Sequence, residues 1–79
     1  MKHARDDYNR IQDPAGLIPE DEPVFLIRGQ DRAAIATLLF WADHNIRHGG
    51  DVRLSGLALQ QAVAMKKWQS KYPPKAADL

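Results

Sequence analysis

The sequence predicts an all-α fold: a long helical hairpin with a short N-terminal helix or arm, assembling as a homo-oligomer. Three observations predict it. Two long stretches carry apolar residues at helical spacing. The pair Gly49-Gly50 separates them, and Pro73-Pro74 closes the second. The chain has only 79 residues. A domain of this size buries only about 60% of the surface its unfolded chain exposes, so its own core is marginal. Small domains are usually reinforced by disulfides, metals or association. With no cysteine in the chain, association is the simplest reinforcement.

Residues 1–19 read as an arm. Tyr8 and Ile11 stand three apart and share a face if the stretch is helical. Asp13-Pro14-Ala15-Gly16 reads as a turn. Leu17, Ile18 and Pro19 then extend the chain. The cluster Glu20-Asp21-Glu22-Pro23 reads as a helix start, with Asp21 as cap, Pro23 in the first turn and carboxylates complementing the dipole. The first long helix is expected over residues 21–48, about seven turns. Val24, Ile27, Asp31, Ile35, Leu38, Trp41 or Ala42, and Ile46 mark its inner stripe, with Gly29 as its one weak point.

The second helix is expected over residues 51–72, started by Asp51 or Ser55. Leu54, Ala58, Gln61, Met65, Trp68 and Tyr72 trace one face, widened by Leu57, Leu59 and Val63. Residues 73–79 form a tail. Two antiparallel helices cover one stripe each, and the surplus apolar residues call for a partner.

Eleven basic against ten acidic residues give a net charge of +1. That balance argues against a general binder of polymeric nucleic acid, which usually shows a basic excess. No apolar run reaches the roughly 20 residues of a membrane span, and MKHARDDYNR lacks the hydrophobic region of a signal peptide. The expected compartment is the cytoplasm.

Catalytic and metal chemistry find little support. His44 and His48 are four apart, a zinc-compatible spacing, but two ligands do not make a site, and histidines suit a helix C-terminus. Thr37, Ser55 and Ser70 lack an adjacent base. The three clustered carboxylates are explained by the helix dipole. No catalytic residue, metal or cofactor is expected. Arg28 and Arg32 lie four apart beside Gly29 and Gln30; arginine's planar fork fits phosphate, although from spacing alone a solvated helix face is the better explanation of the pair. Lys66, Lys67 and Lys71 make a basic end to the second helix, as the dipole favours.

The segment IPEDEPVFLIRGQD, Ile18 to Asp31, resembles the signature of a family of phage helical-hairpin proteins, the anti-CBASS sponges. The same hairpin occurs in one class of anti-Thoeris sponge, which meets a cyclic ADP-ribose signal. The resemblance continues through the amphipathic stretch after Asp31, the glycine turn and the MKKWQ run from Met65 to Gln69. It implies a hexamer of hairpins in the cytoplasm of an infected bacterium. Such an assembly binds the cyclic di- and trinucleotides of CBASS immunity, for example cyclic GMP-AMP and cyclic tri-AMP, without cleaving them. It further implies Tyr8 as a base-stacking group and Arg28 as the phosphate contact for cyclic dinucleotides, with Gln30 and Lys67 for cyclic trinucleotides. Two readings from other classes stand beside it. One is a helical module binding a host protein through Phe25, Leu39 or Phe40. The other is a small DNA-binding regulator.

Overall fold

A computed structural model describes residues 1–5 and 13–77. Its elements, in chain order, are β1 (Lys2–His3), β2 (Pro23–Val24), α1 (Ala34–Arg47) and α2 (Val52–Lys71). The molecule is a small all-α domain in which α1 and α2 pack side by side. The two strands add only a short parallel pair, with Lys2 opposite Pro23 and His3 opposite Val24. Among the described residues, no helix is long and apolar enough to cross a membrane.

The second helix starts as its sequence predicts. The Asp51 side chain accepts a hydrogen bond of 2.9 Å from the Arg53 amide, the bond of an N-cap. The Arg53 guanidinium also grips the Asp51 carboxylate at 2.8 Å. That side-chain bond, reinforced by the amide bond, holds the Asp51 pKa below the usual carboxylate value. The helix ends at Tyr72, whose backbone is extended as it enters Pro73.

The first helix is shorter than expected. It begins at Ala34, not Asp21, so the helix predicted over 21–48 is confined to its second half. Tertiary hydrogen bonds outcompete helix propensity upstream. The Lys2 amide donates to the Glu22 carbonyl at 2.6 Å, and the N-terminal amine donates to the Pro19 carbonyl. Pro23 therefore lies in a strand, and Glu20, Asp21 and Glu22 are exposed loop residues that cap no helix. The Phe25–Ile27 stretch that follows has no regular structure. Val24 and Ile27 are β-branched, and Gly29 costs a helix about 1 kcal/mol relative to alanine, so little local preference resists this. The helix start falls instead to Asp31. Its carboxylate accepts from the Ala33 amide at 2.8 Å, and its carbonyl from the Ala34 amide at 3.0 Å.

The seam between the helices is made of small side chains. Ala34, Ala42, Ser55 and Ala62 are buried, Ala34 completely. On α2 the inner positions run Ser55, Ala58, Ala62, Met65 and Gln69, alternating steps of three and four. The expected face through Leu54, Gln61, Trp68 and Tyr72 is thus turned by about one residue. It shares only Ala58 and Met65 with the observed seam. Small residues let the backbones approach closely, and that approach displaces the large side chains outward. Leu54, Leu57, Leu59, Val63, Trp68 and Tyr72 on α2, and Leu39, Phe40, Trp41 and Ile46 on α1, are all exposed.

A polar clamp closes the turn between the helices. Asn45 donates through Nδ2 to the Asp51 carbonyl (3.1 Å) and to Ser55 Oγ (2.9 Å). Ser55 Oγ in turn donates to the Ala42 carbonyl at 2.9 Å. Gly49 has a φ of +79°, the left-handed geometry common after a helix end. At Gly50 a Cβ would lie 1.8 Å from Asn45 Oδ1, so the clamp itself requires a glycine there.

Candidate functional site

The opposite end of the hairpin is open, and most of the candidate binding residues lie there. The turn segment 29–32 docks against the end of α2, with Asp31 bridging to Lys75. Gln69 donates through Nε2 to the Gly29 carbonyl (2.8 Å) and the Asp31 carbonyl (3.2 Å). The Lys75 amide donates to the Gln30 carbonyl at 3.0 Å, and the Arg32 amide to the Lys75 carbonyl at 2.8 Å. The Arg32 guanidinium adds a bond to the Pro74 carbonyl. The entry to α1 and the exit of α2 are thereby tied together by backbone groups, which leaves many side chains free to face outward.

Arg28 sits on the turn just before this tie. Its carbonyl accepts from the Asp31 amide at 3.0 Å. Its guanidinium is exposed and takes no partner among the described residues. Gln30 is half-buried and is held through its carbonyl. Arg28 and Gln30 therefore share one turn. Lys67 does not join them within a single chain. Met65 and Gln69 face the turn, and Lys67, two residues from each, lies about 200° round the helix from both. Tyr8 lies outside the described residues.

Arg28 and Arg32, expected on one helical face, are instead turn residues. Arg32 serves structure through Pro74, and Arg28 remains available. An exposed guanidinium with no carboxylate partner keeps all five donors for an anion.

Around Lys67 the structure groups residues whose proximity was not read from the sequence. The Trp68 and Tyr72 rings lie against each other in a tilted arrangement, centroids 4.7 Å apart and planes inclined at 31°. Together with Ala64, Lys67 and Lys71 they line an open concavity of about 380 Å³. The signal was present as a repeat: Lys67-Trp68 and Lys71-Tyr72, basic then aromatic, four residues apart. Hydrophobic periodicity alone assigns the aromatics to the core and the lysines to the helix dipole, because it places the buried face one residue off.

The serine and threonine hydroxyls of the described residues are committed elsewhere. Thr37 Oγ1 donates to the Ala33 carbonyl (2.7 Å), Ser70 Oγ to the Lys67 carbonyl (2.6 Å), and Ser55 Oγ to the Ala42 carbonyl. Each hydroxyl proton points at a backbone oxygen. The His44 and His48 rings lie 4.1 Å apart, with Phe40 stacked on His44 at 5.4 Å. Among the described residues no group of three or more His, Cys, Asp or Glu could hold a metal. No family model matches the chain, and no curated protein or solved structure is significantly similar to it.

Proposed function

We propose that this chain is a non-catalytic phage anti-defence protein. It assembles with copies of itself and sequesters the cyclic di- and trinucleotide messengers of CBASS immunity in the bacterial cytoplasm. The observation that carries the reading is the mismatch between a buried seam of alanines and helices whose large apolar side chains face outward. Such surfaces mark association, and a second copy of the chain supplies the same exposed faces in return. The Ile18–Asp31 resemblance supplies the ligand class.

Symmetry then explains how so weakly charged a chain binds a polyanion. Arg28 and Lys67 are exposed, and each occurs once per chain. Around a twofold axis two copies of Arg28 meet the two phosphates of a cyclic dinucleotide. Around a threefold axis three copies of Lys67, with Gln30 from neighbouring chains, meet a cyclic trinucleotide. The separation of Gln30 from Lys67 within one chain suits a pocket built between chains. The hydroxyls committed to carbonyls support capture without cleavage. The assembly is taken as a hexamer, following the same resemblance.

The test is direct. Protein is mixed with a panel of cyclic di- and trinucleotides, unbound ligand is filtered away, and the denatured complex is analysed by chromatography and mass spectrometry. Intact cyclic nucleotide in stoichiometric amount is the expected result. Linear products would make the protein a nuclease. An empty filtrand would move the function to a host-protein contact through Phe25, Leu39 or Phe40, all exposed. In the same assay Arg28→Glu replaces a phosphate donor with a repelling charge. Cyclic dinucleotide capture should then fall more than about tenfold at unchanged assembly size, because charge-assisted bonds to phosphate are the strong ones.

A further inference from the structure

We propose that the C-terminal end of α2 is a stacking platform for a nucleobase and its phosphate, with Trp68 and Tyr72 as the flat surface and Lys67 and Lys71 as the anion contacts. The inference rests on the nucleotide-binding reading above and adds to it the groups that would hold the base.

Four features of this patch point the same way. The two rings lie against each other at a tilt, and Trp68 remains 42% and Tyr72 54% exposed, so ring surface is open to a further planar group. Base–aromatic stacking tolerates any base, since every base presents a π-face. Lys67 and Lys71 each precede an aromatic by one residue and line the same concavity as the two rings. Neither lysine has an ion-pair partner among the described residues, and α2 contains no acidic residue to supply one. A ligand that is flat on one side and anionic on the other fits that arrangement. A purely apolar partner would have to bury two unpaired ammonium groups.

The platform is also fixed in place. The Tyr72 amide donates to the Trp68 carbonyl at 3.0 Å. Pro73 and Pro74 stiffen the chain beyond it, and Lys75 anchors that chain to Gln30. Of the two polar residues between the lysines, Gln69 bonds to Gly29 and Asp31, and Ser70 turns its hydroxyl back onto the Lys67 carbonyl. Rings already in contact and backbone already tied cost little further ordering when a ligand arrives.

Trp68 reports on its own occupancy. The chain has two tryptophans, so Trp41→Phe leaves Trp68 as the sole tryptophan of the full-length assembly, excited selectively at the red edge where tyrosine does not absorb. That variant is titrated with AMP, cyclic tri-AMP, inorganic phosphate and a single-stranded oligoadenylate. Saturable quenching by AMP and cyclic tri-AMP, with none by phosphate, is expected. Lys67→Ala with Lys71→Ala should weaken it roughly tenfold or more. Should Trp41→Phe change the assembly size, the Trp68 indole N–H resonance of the parent protein gives the same readout. Cyclic nucleotide captured on the filter while Trp68 stays silent would overturn the platform and leave the sponge standing. Quenching by AMP with no cyclic nucleotide captured would support the platform and remove the sponge. Trp68 shielded from acrylamide before ligand is added would mean that a second copy covers the rings, and would overturn the platform. Response to oligoadenylate alone would make the surface a single-strand site and overturn it equally.

Discussion

The two ends of the hairpin are built on opposite principles. At the closed end, side chains do the joining: Asn45 bridges Asp51 and Ser55, and Ser55 reaches Ala42. At the open end, the α1 entry and the α2 exit meet chiefly through backbone amides and carbonyls, with Gln69 and Arg32 as the side-chain links. The consequence is chemical. A side-chain clamp uses up its polar groups and leaves nothing for a ligand. A backbone tie leaves Arg28, Lys67, Lys71, Trp68 and Tyr72 facing outward. The side-chain bonds between the helices gather at the turn, and the groups proposed for recognition lie at the entry to α1 and the exit of α2.

The largest effect should come from breaking the closed end at its tightest point. Ala42 is 1% exposed, and its carbonyl receives the Ser55 hydroxyl. Ala42→Leu forces extra methylenes between backbones brought together by small side chains. It should destabilise the fold by about 3 kcal/mol, read as a lowered urea midpoint at fixed protein concentration, since assembly itself stabilises. Gly50→Ala comes next. Its methyl collides with Asn45, whose side chain must swing away and abandon both clamp bonds. At about 1 kcal/mol for each bond, the expected loss is about 2 kcal/mol. A change smaller than about 0.5 kcal/mol in the same urea experiment would mean that the clamp contributes little.

The same division explains what was legible in the sequence. The closed end was readable because its determinants are local. Gly49-Gly50 ends a helix and Asp51 caps the next. The open end was not, because long-range bonds decide it. Nothing in IPEDEPVFLIRGQD announces that Lys2 will pair beside Pro23 or that Gln69 will hold Gly29. An acidic cluster followed by proline is a sound helix start until a strand partner takes those amides and carbonyls. The α2 face was missed for another reason. Periodicity ranks residues by hydrophobicity, which favours Leu54 and Trp68 for the core. The close approach of two helices favours Ser55 and Ala62. That one-residue rotation is why Trp68 and Tyr72 were read as core and are found at the surface. Arg28, Gln30 and Lys67 came from the resemblance; the structure puts Arg28 and Gln30 on one turn and Lys67 elsewhere.

The smallest effect tests whether the two ends are independent. Gln69→Ala removes the side-chain bonds to Gly29 and Asp31. The Asp31 carbonyl keeps its bond from the Ala34 amide, so essentially one acceptor is orphaned, and a loss of about 1 kcal/mol is expected. Its distribution matters more than its size. Hydrogen exchange should quicken at the Arg32 and Lys75 amides, which pair across the open end, while the Gly50 amide, bound to the Asn45 carbonyl at 2.8 Å, keeps its protection. Local opening of one end without the other is how a ligand-binding region is drawn from the less stable part of a fold. If Gly50 loses protection in step with Arg32, the hairpin opens as one unit. The contrast between a structural turn and a receptive end would then describe only where bonds lie, not how the molecule moves.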